Sequence, residues 1–552
     1  MTPPDLAALP RTRSWIGGRE VDGRAGLTAA CDPATGEPFA AVERLDAGQA
    51  GAAFDVARAA FPAWSATPVR ARARALDALR VALLAEAGEL ARLVSREQGK
   101  PVAEAWGAEI LPSLDALAHL AVHAEAALQD EPVEAHSLLQ AHKEARIVRV
   151  PCGVVLAITP WNFPLALPLP IVATALAAGN TVVLKPAPAG AMTGLRIGAL
   201  ARRAGLPDGV VNVVAVDDAV AASLAADPRA NKIVFVGSTA TGRKVMAAAA
   251  ANLTPVVLEL GGKDPAIVCR DAELERAARG IAWGAFVNAG QTCASVERVY
   301  VEREVASAFL ALIVEQARGL RTGDPAREGT DLGPMTLARQ RRIVEEHVRD
   351  AAERGAQVLV GGRTPDGPGF FYPATVLAGV DHSMRVMREE TFGPVLPVMA
   401  VDSLDEAIRL ANDSPYGLTA SGWTRSAATA ARLQRELQAG IVTINDCVAS
   451  FAEPAAPWGG VKASGIGRTH GRLGLLEMTQ PKFVSLDRGR GAELWWYPYD
   501  RELEEILATT APALHARTLL ERLAAQLRLL ARRRVRERVG LWRLLRQLEK
   551  LL

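Results

Sequence analysis

Reactive chemistry in this chain centres on one of its five cysteines, Cys31, Cys152, Cys269, Cys293 and Cys447. Cys293 alone follows a Gly-Gln turn, in Phe286-Val-Asn-Ala-Gly-Gln-Thr-Cys293, and precedes an extended apolar run at Arg298–Val301. A side chain there projects from a loop into a cleft, with its own backbone N–H available to an oxyanion. A thiolate is a strong nucleophile, but a free thiol is mostly protonated near neutral pH, so local activation is required. Cys31, Cys152 and Cys269 each abut a turn or strand and read as small buried hydrophobes, the commoner fate of an unpaired cysteine. For Cys447 the reading is open.

Three further places carry chemistry-bearing residues. In Val256-Val-Leu-Glu-Leu-Gly-Gly262, Glu259 interrupts the end of an apolar strand, where a carboxylate is costly to bury unless paired or protonated. The two following glycines allow close approach, which favours a general base for water over a salt-bridged structural glutamate. In Lys232-Ile-Val-Phe-Val-Gly-Ser-Thr-Ala-Thr-Gly242, a strand runs into Gly237-Ser238 and a helix begins by Thr241. That turn presents helix N-terminal N–H groups and a hydroxyl to a phosphate, although it is neither G-x-G-x-x-G nor a P-loop. In Ile158-Thr-Pro-Trp-Asn-Phe-Pro164, Asn162 is held between prolines and offers its amide NH₂ to an oxyanion. Such a donor is worth roughly 3 kcal/mol in a transition state. Lys185 ends Asn180-Thr-Val-Val-Leu-Lys-Pro186, at the edge where α/β sheets bind ligands. An ordinary turn asparagine and a solvated lysine are the plain alternatives.

The elements that must position these residues alternate. Residues 53–98 are helical in pattern, with apolar positions three and four apart. From about 145 to 260, short β-branched runs (Val154–Ile158, Thr181–Leu184, Val210–Val214, Lys232–Val236) alternate with helices at Pro168–Ala178, Met192–Ala204 and Ala219–Ala226. A second alternation follows Gly262, through Ala266–Cys269 and Arg298–Val301 to Val442–Ile444. Both predict parallel sheets covered on each face by helices, an α/β architecture with a Rossmann-type part.

Composition agrees. Hydrophobic residues make up 49% and charged residues 22% of 552, which excludes global disorder. The odd, scattered cysteines argue against a disulfide framework and for a reducing, cytoplasmic compartment. The N-terminal sequence shows no secretory pattern and no apolar run predicts a spanning helix. His119 and His123 are spaced i, i+4 without an apparent third ligand, so no metal site is expected. The formal net charge of +2 is a sum of unlike parts. Ala511–Leu552 holds eleven Lys+Arg and three Asp+Glu, a net of +8, leaving −6 on the remainder.

With these motifs assembled, residues 14–488 resemble the NAD(P)-dependent aldehyde dehydrogenase superfamily. Leu258-Glu-Leu-Gly-Gly-Lys-Asp-Pro265 is similar to its glutamate motif and Phe286-x-x-x-Gly-Gln-x-Cys293 to its cysteine motif, with the family's separation of 34 residues between Glu259 and Cys293. Glu389-Glu-Thr-Phe-Gly-Pro394, Ser414-Pro-Tyr-Gly-Leu418 and Pro457-Trp-Gly-Gly-Val-Lys-x-Ser-Gly-Ile-Gly467 follow in the expected order. The resemblance implies a cofactor domain (1–129 and 152–261), a catalytic domain (262–461), bridging strands (130–151 and 475–490) and assembly as a homodimer or homotetramer. It implies that Cys293 attacks an aldehyde, that Asn162 and the Cys293 N–H hold the oxyanion, and that Glu259 activates water on the resulting thioester. Cofactor contacts carried over by position are Thr159, Pro160, Trp161, Lys185, Gly237, Ser238, Gly242, Leu260, Glu390 and Phe392. A substrate tunnel would take Phe163, Leu167, Phe286, Thr292, Cys447, Val448 and Phe451, mostly apolar side chains that suit aliphatic or aromatic aldehydes.

One position departs from the family pattern. Pro188 stands where many members carry a glutamate that repels a 2′-phosphate, so NADP remains possible by this criterion; the lack of a local basic partner beyond Lys185 favours NAD. Glu259 argues against a coenzyme A-acylating relative, and Cys293 with Glu259 argues against a non-catalytic one. A succinate-semialdehyde enzyme is the substrate alternative, weakened by the absence of arginine from the expected substrate segments.

The final segment lies outside these motifs. Leu494-Trp-Trp-Tyr-Pro-Tyr499 precedes leucine stripes at Leu519, Leu523, Leu527 and Leu530, and at Leu541, Leu545, Leu548 and Leu552, around Arg532-Arg-Arg-Val-Arg-Glu-Arg538. A basic amphipathic helix of this kind packs as a helical extension, meets a partner subunit, or lies on an anionic membrane; nucleic acid is not expected.

Overall fold

The computed structural model describes residues 5–135, 140, 142–488 and 493–539. The chain divides into two compact units, one extending through Ala127 and including Pro151–Thr479, the other comprising Leu128–Val150 and the chain from Gln480.

Two sheets organise the first unit. Val154–Thr159, Thr181–Pro186, Val211–Val213, Lys232–Val236 and Val256–Glu259 form the parallel centre of an eight-stranded sheet. Their residues are almost all buried, as expected of β-branched strands covered on both faces. The short strands Ser14–Ile16 and Gly465–Ile466 pair antiparallel at its flanks. The second sheet has seven strands, six parallel: Thr375–Ala378, Val395–Val401, Val296–Glu302, Asp264–Val268, Thr419–Trp423 and Ile441–Ile444, in that spatial order. Gln357–Val360 closes one edge antiparallel. Both expected alternations are therefore present. The helical stretch at 53–98 is two helices, Ala47–Ala66 and Val69–Gln98, because Pro68 interrupts the backbone ladder between them.

The second unit holds a three-stranded sheet of Glu131–Val133, Glu144–Pro151 and Thr479–Leu486. Helices Arg501–His515, Leu519–Ala531 and Arg533–Val539 surround a small core of Leu494, Ile506, Ala513, Ala525, Leu529 and Val535. The expected leucine stripe is not the packed face of helix Leu519–Ala531. Leu519 and Leu527 are 51% and 60% exposed, while Ala525, Gln526 and Leu529 form the packed face. Small Ala513 and Ala525 let the helices come together, which sets the rotation of the second helix. Part of the basic run is paired locally: Arg532 with Glu505 at 3.0 Å, Arg534 with Asp500 at 3.0 Å and Arg538 with Glu493 at 3.0 Å. The stripe from Leu541 to Leu552 lies outside the described residues. Among the described residues, no helix is long and apolar enough to cross a membrane.

Candidate active site

Glu259 ends its strand against Gly465, with the Leu260 N–H donating to the Ser464 carbonyl at 2.9 Å. The Thr469 hydroxyl donates to Glu259 Oε1 at 3.2 Å, and Oε2 is buried without a partner. Burial pushes the carboxyl up to about 8, against the opposing influence of Thr469 and Arg468. A carboxylate lacking a full set of partners and held near neutrality is suited to take a proton from water.

Cys293 follows a loop whose backbone is unusual. Asn288 and Ala289 both adopt left-handed φ values, 55° and 52°, and Gly290 continues at 71°. Gly290 must be glycine, since a Cβ there would lie 2.2 Å from the Gly393 carbonyl oxygen. Gly262 is equally constrained: a Cβ would lie 2.7 Å from the Cys293 carbonyl oxygen. The glutamate and cysteine motifs thus touch through a glycine that leaves no room for a side chain. Cys293 is partly exposed, whereas Cys269 and Cys447 are buried, and all five cysteines are free. Burial and the nearby carboxyls of Asp264, Glu259 and Glu390 push the Cys293 thiol well above its ordinary value.

Asn162 is braced from behind. Its backbone carbonyl accepts from Lys100 Nζ at 2.8 Å and from Asn288 Nδ2 at 3.0 Å, and its Nδ2 donates to the Gln291 carbonyl at 3.0 Å. Lys100 forms a fully buried ion pair with Glu109 at 2.6 Å, whose other oxygen accepts from the N–H groups of Leu165 and Ala166 at 3.0 and 2.7 Å. The pair therefore fixes the loop carrying Asn162 from both sides. Lys100 also lies 4.1 Å above the Phe163 ring.

A second buried pair, Lys263–Glu297 at 2.5 Å, holds the segment from Glu390 to Phe392. Glu297 accepts from the N–H groups of Thr391 and Phe392, each at 2.8 Å. Glu390 accepts from the Gly262 N–H at 3.2 Å, and burial raises its carboxyl to about 8. Phe392, at φ 51°, meets Trp161 edge-on with centroids 5.6 Å apart.

Most of the expected cofactor residues lie at the C-terminal edge of the first sheet, while Glu390 and Phe392 come from the segment before Val395–Val401 of the second. Thr159 and Lys185 end adjacent strands, and Pro160 and Trp161 follow directly. The Thr159 hydroxyl is buried with no partner, and Lys185 is buried with Asp218 at 4.0 Å as its nearest anion. Ser238 caps helix Thr239–Ala250, accepting from the Thr241 N–H at 3.3 Å, so exposed N–H groups of that helix point outward beside Gly237. Gly242 packs beneath Leu260. An orphaned hydroxyl, a buried ammonium and an open helix N-terminus fit a dinucleotide's ribose and pyrophosphate.

A cavity brings Cys293 and Glu259 together with Leu167 and Phe451 from the expected tunnel. Phe286 is not on it. The apolar face of helix Leu274–Phe286 packs onto the seven-stranded sheet and carries Phe286 into that core. Cys447 is likewise buried there, its thiol donating to the Gly280 carbonyl at 3.2 Å, while Val448 packs against the same core from its edge. Thr292 is buried with an unpartnered hydroxyl. Six cavity residues were absent from the sequence expectation: Ile171, Val236, Leu418, Trp458, Thr469 and His470. Val236, Leu418 and Trp458 lie in motifs quoted from the sequence and were within reach of a sequence reading.

A family model described as the aldehyde dehydrogenase family matches residues 21–484. A 3-sulfolactaldehyde dehydrogenase of Pseudomonas putida is 37% identical over 481 residues, covering 87% of this chain and 98% of that protein. A 4,4'-diapolycopene aldehyde oxidase of a Methylomonas species is 42% identical over 438 residues, covering 79% and 81%. The crystal structure of an NAD-dependent aldehyde dehydrogenase from Sinorhizobium meliloti superposes with a TM-score of 0.85 at 36% identity, covering 90% of this chain and 98% of that one.

Proposed function

The chain belongs to the aldehyde dehydrogenase family and is an NAD(P)-dependent oxidoreductase acting on aldehydes; on that premise we propose that Cys293, Glu259 and Asn162 carry its chemistry. Cys293, its proton lost to solvent, attacks the aldehyde carbon as the thiolate, and the carbonyl π electrons move onto oxygen to give the thiohemiacetal oxyanion. The Asn162 amide and the Cys293 backbone N–H hold the oxyanion. When bound, the nicotinamide supplies the hydride acceptor by which the thiohemiacetal becomes a thioester. Glu259 then takes a proton from water, whose oxygen attacks the thioester and releases the acid. The observation that carries this reading is one cavity lined by both Cys293 and Glu259.

Lys185 and Thr159 would hold the adenosine ribose, Ser238 and its helix the pyrophosphate, and Glu390 and Phe392 the nicotinamide ribose. We take NAD as the preferred form. Asp217 and Asp218 stand beside Lys185 and would repel a 2′-phosphate. The cavity lining of Leu167, Ile171, Leu418, Phe451 and Trp458 supports an apolar aliphatic or aromatic aldehyde, and it includes neither lysine nor arginine for a substrate carboxylate. A panel of aldehydes assayed with each cofactor tests both points. Acid formation is expected with apolar aldehydes, with kcat/KM for NAD exceeding that for NADP by roughly tenfold. Preference for succinate semialdehyde or for NADP would contradict the assignment.

Assembly as a homodimer or homotetramer and a cytoplasmic location belong to the same reading. For the tail, exposure of Leu519, Leu520 and Leu527 supports peripheral contact with an anionic membrane. Changing all three to glutamine is expected to lower co-sedimentation with phosphatidylserine vesicles while soluble-aldehyde turnover is unaltered. Equal sedimentation of wild type and variant removes the membrane role.

A further inference from the structure

His470 follows the threonine that donates to Glu259, and its backbone lies at φ 59°, ψ 162°. That region is essentially reserved for glycine, and side chains held in it cluster at ligand sites. The local backbone uses only the His470 carbonyl, which accepts from the Gly474 N–H at 2.8 Å. Its imidazole packs on Phe451 with centroids 4.9 Å apart, and Phe451 meets Trp458 edge-on at 5.0 Å. All three rings line the cavity that contains Cys293 and Glu259. Within this wall His470 Nδ1 is buried and has no hydrogen-bond partner. Burial, with His119 nearby, holds the imidazole down to about 4, so it is neutral at pH 7. A residue with a strained backbone thus brings a buried, unpaired polar atom to a cavity wall whose other rings are apolar, and a ligand that reaches it completes its hydrogen bond.

Resting on the reading of this cavity as the aldehyde site, we infer that His470 is a specificity-determining residue that hydrogen-bonds a hydroxyl group carried by the substrate away from its reacting carbonyl. A neutral imidazole has one N–H and one bare nitrogen, and either can stand at Nδ1. A hydroxyl both donates and accepts, so it satisfies either tautomer. A carboxylate only accepts, and it would share the cavity with Glu259. An ammonium only donates. The aromatic wall of Phe451 and Trp458 accommodates a flat, hydroxylated ring.

The test compares benzaldehyde with its ortho, meta and para hydroxy isomers, using wild type, His470→Phe and His470→Gln. In wild type, at least one hydroxy isomer is expected to exceed benzaldehyde in kcat/KM by about tenfold or more, as for a site that pairs a substrate hydroxyl. In His470→Phe that ratio falls toward one, chiefly through a raised KM for the favoured isomer. His470→Gln restores much of it, because the amide also offers a donor and an acceptor. Should His470→Phe fail to fold, His470→Leu takes its place: it also removes donor and acceptor, and the same fall of the ratio toward one is expected. Absence of any hydroxy preference in wild type, or a preference undiminished in both variants, overturns the inference while leaving the catalytic assignment intact. Failure of wild type to oxidise any of the four aldehydes overturns both.

Discussion

Glu259→Gln is expected to release one equivalent of reduced cofactor per active site and then nearly stop. The amide preserves the shape of the strand end and can still receive the Thr469 hydroxyl hydrogen bond. It cannot take a proton from water. Thioester formation therefore proceeds and hydrolysis slows by about 10²–10⁴-fold, the usual range for a general base. Wild-type hydrolysis carries a matching pH signature. Burial raises the Glu259 carboxyl to about 8, so below that pH only a minority of molecules hold the basic form. Single-turnover hydrolysis should rise about tenfold per pH unit below 8 and level off above it. The variant should lose this dependence. Rapid-mixing absorbance of the reduced cofactor, followed across pH, separates the burst from the steady state. An unchanged steady rate in Glu259→Gln removes that residue as the base.

Cys293→Ala should abolish acid formation, with a loss on the order of 10⁴-fold or more, as when other catalytic nucleophiles are removed. The burst should vanish with it, which distinguishes this variant from Glu259→Gln. Cys293 sits partly exposed on a loop, so its truncation leaves no large void in either sheet core. Thermal stability should stay near wild type, and cofactor binding should be retained. Cys269→Ala supplies the contrast. Cys269 belongs to the core of the seven-stranded sheet, so its loss acts on stability and leaves turnover in place. If Cys293→Ala retains turnover, the chemistry does not pass through this thiol.

The sequence was most legible where local physics and motif coincide. Continuous β-branched runs such as Val154–Ile158 predicted buried parallel strands, and the strand ends placed Lys185 and Ser238 on one sheet edge. The Glu259–Cys293 pairing was legible as a motif, although the glycine contact that joins the two loops needed coordinates. Contacts between distant segments were not legible. Nothing near Asn162 announces Lys100, which braces it from 62 residues away through a buried pair with Glu109. Thr469 and His470 reach the cavity because Gly465–Ile466 pairs with the strand of Glu259, a register that no local pattern encodes. Phe286 shows the opposite error. A motif position suggested the tunnel, but the amphipathic helix that carries it turned the ring into the core. In the tail, leucine spacing identified a helix but not its rotation, which the small residues Ala513 and Ala525 decided.

The central claim is that oxidation passes through a thioester on Cys293 that Glu259 is needed to hydrolyse. Acid-quenched Glu259→Gln, after incubation with benzaldehyde and NAD, can be weighed intact and then mapped by peptide mass spectrometry. The account predicts one added acyl group per chain, on the peptide containing Cys293, and none when the cofactor is omitted. An unmodified chain after a full burst of reduced cofactor, or an acyl group on any other residue, would contradict it.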